Sequence, residues 1–304
     1  MQDAMQNGRS ATIAIVGRPN VGKSSLLNRM IGQKIAIVSK KPQTTRTRIM
    51  GVLTTEGEEQ LVFMDTPGLL KPRDSLGDYM VKSIATAVAG VDFCLLVTEA
   101  GAKISKADED LIARFKEGNI PAVLAINKID LLSDKSRLMG QIAAYSGLFP
   151  FEAVVPVSAR TGSGMDELLG ELRSLALPGG WFFSEDTLTD QPEQVIAAET
   201  VREKVLRRCD KEVPHGVAAV TERMTEQGDV LTIDVTIYCE RQSHKGIIIG
   251  KGGAMLKAIG TDARVDLERF FDCKVNLQLW VKVKEDWRQR PQVLQSLGFK
   301  EEQM

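Results

Sequence analysis

The sequence predicts a doubly wound α/β domain followed by a smaller α+β domain, and three observations carry that reading. Short, continuous apolar runs recur through the first half, each leading into a polar or glycine-containing cluster. In the second half the pattern changes to clean alternation, in runs that start at Val230 and Cys273. Between the halves lies PGGWFFSEDTLTDQPEQ, from Pro178, whose glycines and prolines mark a linker. A chain of 304 residues suits two domains of ordinary size. We therefore divide it into a disordered start (1–10), a first domain (11–177), a linker (178–192), a second domain (193–285) and a C-terminal tail (286–304).

The apolar runs of the first half are TIAIV before Gly17, QLVFM before Asp65, FCLLV before Thr98, AVLAI before Asn127 and AVVPV before Ser158. Continuous apolar character predicts strands buried on both faces, as in a parallel sheet flanked by helices. Helical spacing falls between them, in ADEDLIARFKEG from Ala107 and GMDELLGELRSL from Gly164. In such a fold ligands bind at the carboxyl ends of the strands, which is where the polar clusters stand.

The first cluster, Gly17-Arg18-Pro19-Asn20-Val21-Gly22-Lys23-Ser24 with Ser25 following, fits G-x-x-x-x-G-K-[ST] between a strand and a helix. Its glycines let backbone N–H groups turn inward around phosphates at a helix N-terminus. Lys23 would bridge the β- and γ-phosphates, and the Ser24 hydroxyl would ligate Mg²⁺. The second cluster, Asp65-Thr66-Pro67-Gly68, puts an acid toward the metal and the Gly68 N–H toward a γ-phosphate. The third is Asn127-Lys128-Ile129-Asp130. The Asp130 carboxylate can accept from the ring N–H and amino group of guanine, a donor pair that adenine lacks. Lys128 can cover the base with its stem, and Asn127 can tie this loop to the phosphate loop. Ser158-Ala159 ends the last strand, where a backbone N–H can reach the guanine carbonyl. Together the clusters predict a site for GTP and GDP.

Through these motifs the first half resembles the translation-factor-related GTPases that share G-x-P-N-V-G-K-S, D-T-P-G and N-K-x-D. The stretch SKKPQTTRTR from Ser39 looks like their first switch loop. The resemblance implies a Mg²⁺-binding threonine there, Thr45, with the adjacent Thr44 as the alternative. Many GTPases orient the attacking water with a glutamine just after D-x-x-G; here that position is Leu69, followed by Leu70. A leucine cannot do this, so backbone groups, a cation or a partner must. Relatives sharing Asn20 use it to hold K⁺, which implies K⁺-stimulated and intrinsically slow hydrolysis; the bland alternative is that Asn20 shapes the turn.

The second half reads as helix, strand, strand, helix, helix, strand. The helix starts at Glu193, and the strands are GVAAVTERM, VLTIDVTIYCE and CKVNLQLWVKVK. Leu231, Ile233, Val235, Ile237 and Cys239 share one face, as do Val275, Leu277, Leu279, Val281 and Val283. Between them lies a second glycine loop, IIIGKGGAMLKAIG from Ile247. It is not a second nucleotide loop. Lys245 stands where the leading glycine belongs, and Gly252 stands where the metal-binding hydroxyl belongs. Gly250-Lys251-Gly252-Gly253 is instead the G-x-x-G arrangement of a KH domain, which clamps the backbone of about four nucleotides of single-stranded nucleic acid. Arg241, Lys245, Lys251 and Lys257 form a basic stripe with no acid among them, and these four, with Ile248 and the glycine turn 250–253, are the expected RNA contacts.

A single GTPase domain with P-Q-T-T-R in its switch, joined to a helix-first (type II) KH domain, resembles the Era GTPases from Ala11 to Lys284. Thr189-Asp190 and Arg202-Glu203-Lys204 belong to the match. The resemblance implies binding to the 3′ end of small-subunit ribosomal RNA, a role in 30S subunit assembly and a peripheral contact with the cell membrane. Two other readings are a GTPase whose KH fold contacts protein in cell-cycle signalling, and an RNA-modification GTPase. The second of these lacks a nucleophile or cofactor motif in the second half.

Composition narrows the setting. The formal net charge of −1 excludes a uniformly basic coat for nucleic acid but leaves room for a local patch. Four dispersed cysteines and two histidines, with no C-x-x-C pair, predict reduced buried thiols rather than a zinc site or disulfides. No apolar run approaches the ~20 residues that span a bilayer, and the polar start is no secretion signal. The expectation is a cytoplasmic monomer. The aromatic Trp181-Phe182-Phe183 is expected to pack, as a hinge or a static dock, and the tail from Trp287 is read as exposed.

Overall fold

The computed structural model describes residues 8–41, 43–55, 59–68, 74–134, 136–210 and 213–299. Leu69, Leu70 and most of the expected disordered start lie outside them. The chain separates into two compact units, dividing after Asp190. The described residues of 37–44 and 72–79 group with the second unit.

The first unit is built on β1 (Arg9–Val16), β2 (Ile49–Thr54), β3 (Glu59–Asp65), β4 (Phe93–Glu99), β5 (Ala122–Asn127) and β6 (Ala153–Pro156). Their order is β2-β3-β1-β4-β5-β6, with a short β7 (Leu177–Pro178) antiparallel to β1. The five apolar runs form the parallel strands, and β2 alone pairs antiparallel with β3. Ile13, Ala14 and Ile15 are all fully buried, as a strand covered on both faces requires. The helices are α1 (Lys23–Ile31), α2 (Ser75–Ala89), α3 (Lys106–Gly118), α4 (Ser136–Leu148) and α5 (Met165–Ser174). Ile84, Val88, Leu111, Ile112, Phe115 and Tyr145 cover one face of the sheet.

The sequence carries no clear strand signal for β2. It is a six-residue edge strand with three half-buried positions and an internal glycine, so its apolar signal is diluted. Its outer edge is covered by the expected linker. The Val52 N–H donates to Leu188 O (2.9 Å), the Thr189 hydroxyl donates to Met50 O (2.6 Å) and the Met50 N–H donates to Asp190 Oδ1 (3.1 Å). Such a strap protects an otherwise open edge. Gln60 fastens the next stretch, accepting from the N–H groups of Phe182 (2.8 Å) and Phe183 (3.0 Å). The three aromatics do not pack alike: Phe182 is 58% exposed, whereas Trp181 and Phe183 are half-buried.

The second unit holds α6 (Glu193–Arg208), β8 (Val217–Gln227), β9 (Val230–Cys239), α7 (Gln242–Ile249), α8 (Ala254–Phe271) and β10 (Lys274–Val283). Its sheet runs β10-β9-β8, parallel between β10 and β9 and antiparallel between β9 and β8. Val201, Val205, Ile233, Val235, Ile237, Ile259, Ala263 and Leu267 make its core. Three consecutive charges on α6 are buried and paired. Lys204 bonds Glu203 (2.8 Å) and Asp266, and Arg202 bonds Glu199 (2.6 Å) and the Thr44 carbonyl. The second Glu203 oxygen accepts from the Val38 N–H at 2.8 Å.

The tail corrects an expectation. Trp287 is 0% exposed, and its indole N–H donates to Gly216 O at 3.0 Å. Arg288 bonds Glu240 at 2.8 Å, and α9 (Pro291–Ser296) buries Leu294. An isolated tryptophan after a charged stretch carries no periodicity, which is why it read as exposed.

Candidate guanine-nucleotide site

The loop from Gly17 to Gly22 leaves the carboxyl end of β1 and opens α1. Gly22 caps that helix at φ 104°, and a Cβ there would lie 2.2 Å from Asn127 Nδ2. Both the backbone angle and the close approach require glycine. No side chain caps α1 among the described residues, which leaves its N-terminal end open beside the loop, as an anion site requires. Lys23 is buried, and its ammonium donates to Gly17 O and Arg18 O, each at 3.2 Å. Pro19 abuts Gly68, where a Cβ would sit 2.8 Å from Pro19 Cα, so the D-x-x-G turn closes against the phosphate loop. Asn20 is exposed at φ 64°, Val21 is buried and Ser25 half-buried.

Three oxygens converge beneath the loop. Ser24 Oγ donates to Asp65 Oδ2 (2.5 Å) and lies 2.9 Å from Thr45 Oγ1, which is 3.3 Å from the same carboxylate oxygen. Asp65 is fully buried, and its Oδ1 has no hydrogen-bond partner among the described residues. Burial raises the Asp65 carboxyl, against the opposing charge of Lys23 and the hydrogen bonds from Ser24 and Thr45. Burial likewise lowers Lys23, offset in part by Asp65. Of the two adjacent threonines, Thr45 joins this cluster. Thr44 instead donates to Lys41 O (2.7 Å) and pairs with Ser39 (2.8 Å). Thr66 is buried and braces β1 through Ile15 O (2.9 Å); Pro67 is buried beside it.

The base-side cluster is equally connected. Asn127 Nδ2 donates to Val21 O at 2.8 Å, and its Oδ1 accepts from the Ala159 N–H at 3.1 Å. This one amide therefore joins the Gly17–Gly22 loop to the loops that follow β5 and β6. Lys128 turns the chain at φ 67° and pairs with Glu99 at 2.6 Å. The Ile129 N–H donates to Val157 O (3.2 Å), which seats Asp130 opposite Ser158. The Ser158 hydroxyl donates to Asp130 Oδ1 at 2.5 Å, and Arg160 pairs with the other oxygen. The Ser158 bond, helped by the charge of Arg160, holds the Asp130 carboxyl below its ordinary range against the opposing effect of burial. Arg160 was not singled out from sequence, although it directly follows Ser158-Ala159.

In the second unit, α7 ends at Gly250 with φ 72° and ψ 173°, and a Cβ there would lie 2.7 Å from that of Met255. Lys251–Gly253 form one tight turn, with Gly252 at φ 58° and Gly253 at φ 79°, before α8 begins. Lys251, Gly252, Lys257 and Arg241 are exposed, and Lys245 is half-buried. Ile248 departs from expectation. It is 0% exposed in the core and supports the loop from within, while its neighbour Ile247 is 49% exposed.

A doubly wound sheet with phosphate, metal and guanine clusters at successive strand ends, joined to a helix-first α+β module with a G-x-x-G turn, defines a GTPase carrying a KH domain. Family models agree: residues 12–128 match "50S ribosome-binding GTPase" and residues 212–288 match "KH domain". The chain is 50% identical over 293 residues to GTPase Era of Ruminiclostridium cellulolyticum, covering 96% of this chain and 98% of that one. It is 45% identical over 293 residues to GTPase Era of Geobacter metallireducens, covering 96% and 99%. A crystal structure of Era with MgGDPNP and nucleotides 1506–1542 of 16S ribosomal RNA superposes with a TM-score of 0.92 at 37% identity, over 96% of this chain and 99% of that one. The chain belongs to the Era family of GTPases, and it hydrolyses GTP to GDP and phosphate.

Proposed function

We propose that this GTPase is a nucleotide-controlled RNA clamp. In this reading it binds single-stranded RNA at the 3′ end of small-subunit ribosomal RNA through its KH domain and acts in assembly of the 30S subunit. The observation that carries it is the Gly250–Gly253 turn, where positive backbone angles and exposure of Lys251 leave the backbone open to close approach. The Era relative crystallised with nucleotides 1506–1542 of 16S ribosomal RNA supports the choice of target. Domains spanning 11–177 and 193–285 would divide the labour. We infer a cytoplasmic monomer with a peripheral contact at the membrane face; no helix among the described residues is long and apolar enough to cross a bilayer.

At the nucleotide site, Gly17–Ser25 would wrap the phosphates, with Lys23 on the β- and γ-phosphates and the Gly68 N–H reporting the γ-phosphate. Asp130 would select guanine, oriented by Ser158 and Arg160, while Lys128 covers the base and Asn127 keeps the loops in register. The donor set fits Mg²⁺. Ser24, Thr45 and Asp65 are hard oxygen ligands, and Asp65 Oδ1 is a buried acceptor without a partner among the described residues. Such an ion, when bound, neutralises charge on the β- and γ-phosphate oxygens. Asn20, exposed in the loop, is our proposed K⁺ contact.

The test of the RNA reading is the pair Lys251→Asp and Gly252→Asp. Position 252 has open space around it and a left-handed angle that aspartate tolerates, so the fold should persist. RNA affinity is expected to fall by more than about tenfold, the scale of a lost charge-assisted contact, with GTP hydrolysis retained. Unchanged RNA affinity would move the loop to a protein partner.

A further inference from the structure

The nucleotide site as described does not account for Asp108. It lies in the first turn of α3, far from the phosphate-loop residues in sequence, yet it is 0% exposed. Its Oδ2 accepts from the Ser105 N–H (2.9 Å) and the Ser105 hydroxyl (2.8 Å), completing a capping box. A capping box needs an acid or amide at this position, but it does not need that group buried. A buried carboxylate is expensive unless a cation meets it. Here the cation is Arg18 of the phosphate loop, whose Nε lies 3.4 Å from the same oxygen, an ion pair rather than a hydrogen bond.

The two ends of Arg18 do different things. Its side chain reaches Asp108, while its carbonyl accepts from the Lys23 ammonium at 3.2 Å. Asp108 itself is rigidly held, because Leu111, Ile112 and Phe115 fix α3 to the sheet. Beside it, Thr98 and Tyr145 share a buried hydrogen bond of 3.1 Å at the end of β4. The start of the loop is pressed onto that same strand end, since a Cβ on Gly17 would lie 2.3 Å from Val97 O. Thus one ion pair joins α3 to the loop residue whose carbonyl accepts from the phosphate-binding lysine.

We propose that Arg18 and Asp108 form a latch that positions the phosphate loop, making Asp108 a positioning residue for GTP binding and hydrolysis. The inference rests on reading Gly17–Ser25 as the phosphate loop. Its consequence is selective. Contacts to the β-phosphate should weaken when the latch is cut, and contacts to the base and the α-phosphate should not.

The experiment compares GDP and GMP affinities of the full chain in Mg²⁺ for Asp108→Asn, Arg18→Gln, the double variant and Lys23→Ala. Asparagine keeps the size of Asp108 and an acceptor for Ser105, and binding of GMP reports that the protein is folded. The expected result is a fall of about tenfold in GDP affinity for each single latch variant, the scale of a broken, partly buried ion pair, with GMP affinity unchanged. The double variant should be no worse than the singles, since both remove one interaction. A lowered melting temperature with an unchanged GDP-to-GMP ratio would make the pair merely structural and overturn the latch. Equal losses for both nucleotides would overturn it too. If Lys23→Ala also leaves the ratio unchanged, the phosphate-loop reading itself fails; if Lys23→Ala lowers the ratio and the latch variants do not, only the latch fails.

Discussion

Replacing Asn127 with alanine should disconnect the guanine loop from the phosphate loop. Asn127 is almost fully buried, and its amide makes two bonds, to Val21 O at 2.8 Å and from the Ala159 N–H at 3.1 Å. Alanine leaves both backbone groups without that partner. Each buried unsatisfied group costs about 1–3 kcal/mol, so the two together cost about 2–6 kcal/mol. If half of that falls on organisation of the site rather than on global stability, guanine-nucleotide affinity drops by about 5- to 150-fold. Isothermal calorimetry with GDP measures the affinity, and thermal unfolding of the nucleotide-free chain measures the remainder. Both should change. An Asn127→Ala protein that binds GDP as tightly as its parent would refute the view that this amide holds the site in register.

Three further outcomes follow from the same geometry. Ser158→Ala removes the main influence that depresses the Asp130 carboxyl, so its pKa should rise toward the ordinary range. A depressed carboxylate contributes fully above its unfolded value and is lost as pH falls through the folded value, so the acid limb of GDP binding should move to higher pH. An unmoved limb would show that Ser158 does not tune this group. Trp287→Ala empties a fully buried site and orphans Gly216 O, which should destabilise the second unit by about 4 kcal/mol or more in urea unfolding. A loss below about 1 kcal/mol would return the tail to the exposed segment its sequence suggested. Finally, GTP hydrolysis should be faster in K⁺ than in Na⁺ at equal ionic strength, with the difference absent in Asn20→Ala; equal rates in the two salts would remove the cation role.

Much of the nucleotide site was legible because a doubly wound fold places its chemistry immediately after its strands. Asp65, Asn127 and Ser158 each stand at or just after an apolar run, so their place at the strand ends was readable locally. The choice between Thr44 and Thr45 was not local. It depends on which hydroxyl reaches Ser24 and Asp65, and only the folded chain shows that Thr45 does. The same limit hid Asp108, which reads as an ordinary first-turn acid until α3 is set against the phosphate loop. Strand β2 escaped because an edge strand buries too little for its pattern to stand out. Ile248 was misassigned for a different reason. In a short helix with three consecutive isoleucines, helical spacing from buried His244 turns Ile248 inward and Ile247 outward, and sequence adjacency to the glycine loop does not distinguish them.

The clamp proposed for this GTPase holds RNA through its KH domain under control of the nucleotide. The direct measurement is the affinity of the full chain for a single-stranded RNA matching the 3′ end of small-subunit ribosomal RNA, with a non-hydrolysable GTP analogue and with GDP, at fixed salt. A shuffled RNA of equal length serves as the reference. The expected result is tight binding of the matching RNA, weaker binding of the shuffled one, and an affinity that differs between the two nucleotides. Weak and equal binding of both RNAs in both nucleotide states would contradict it.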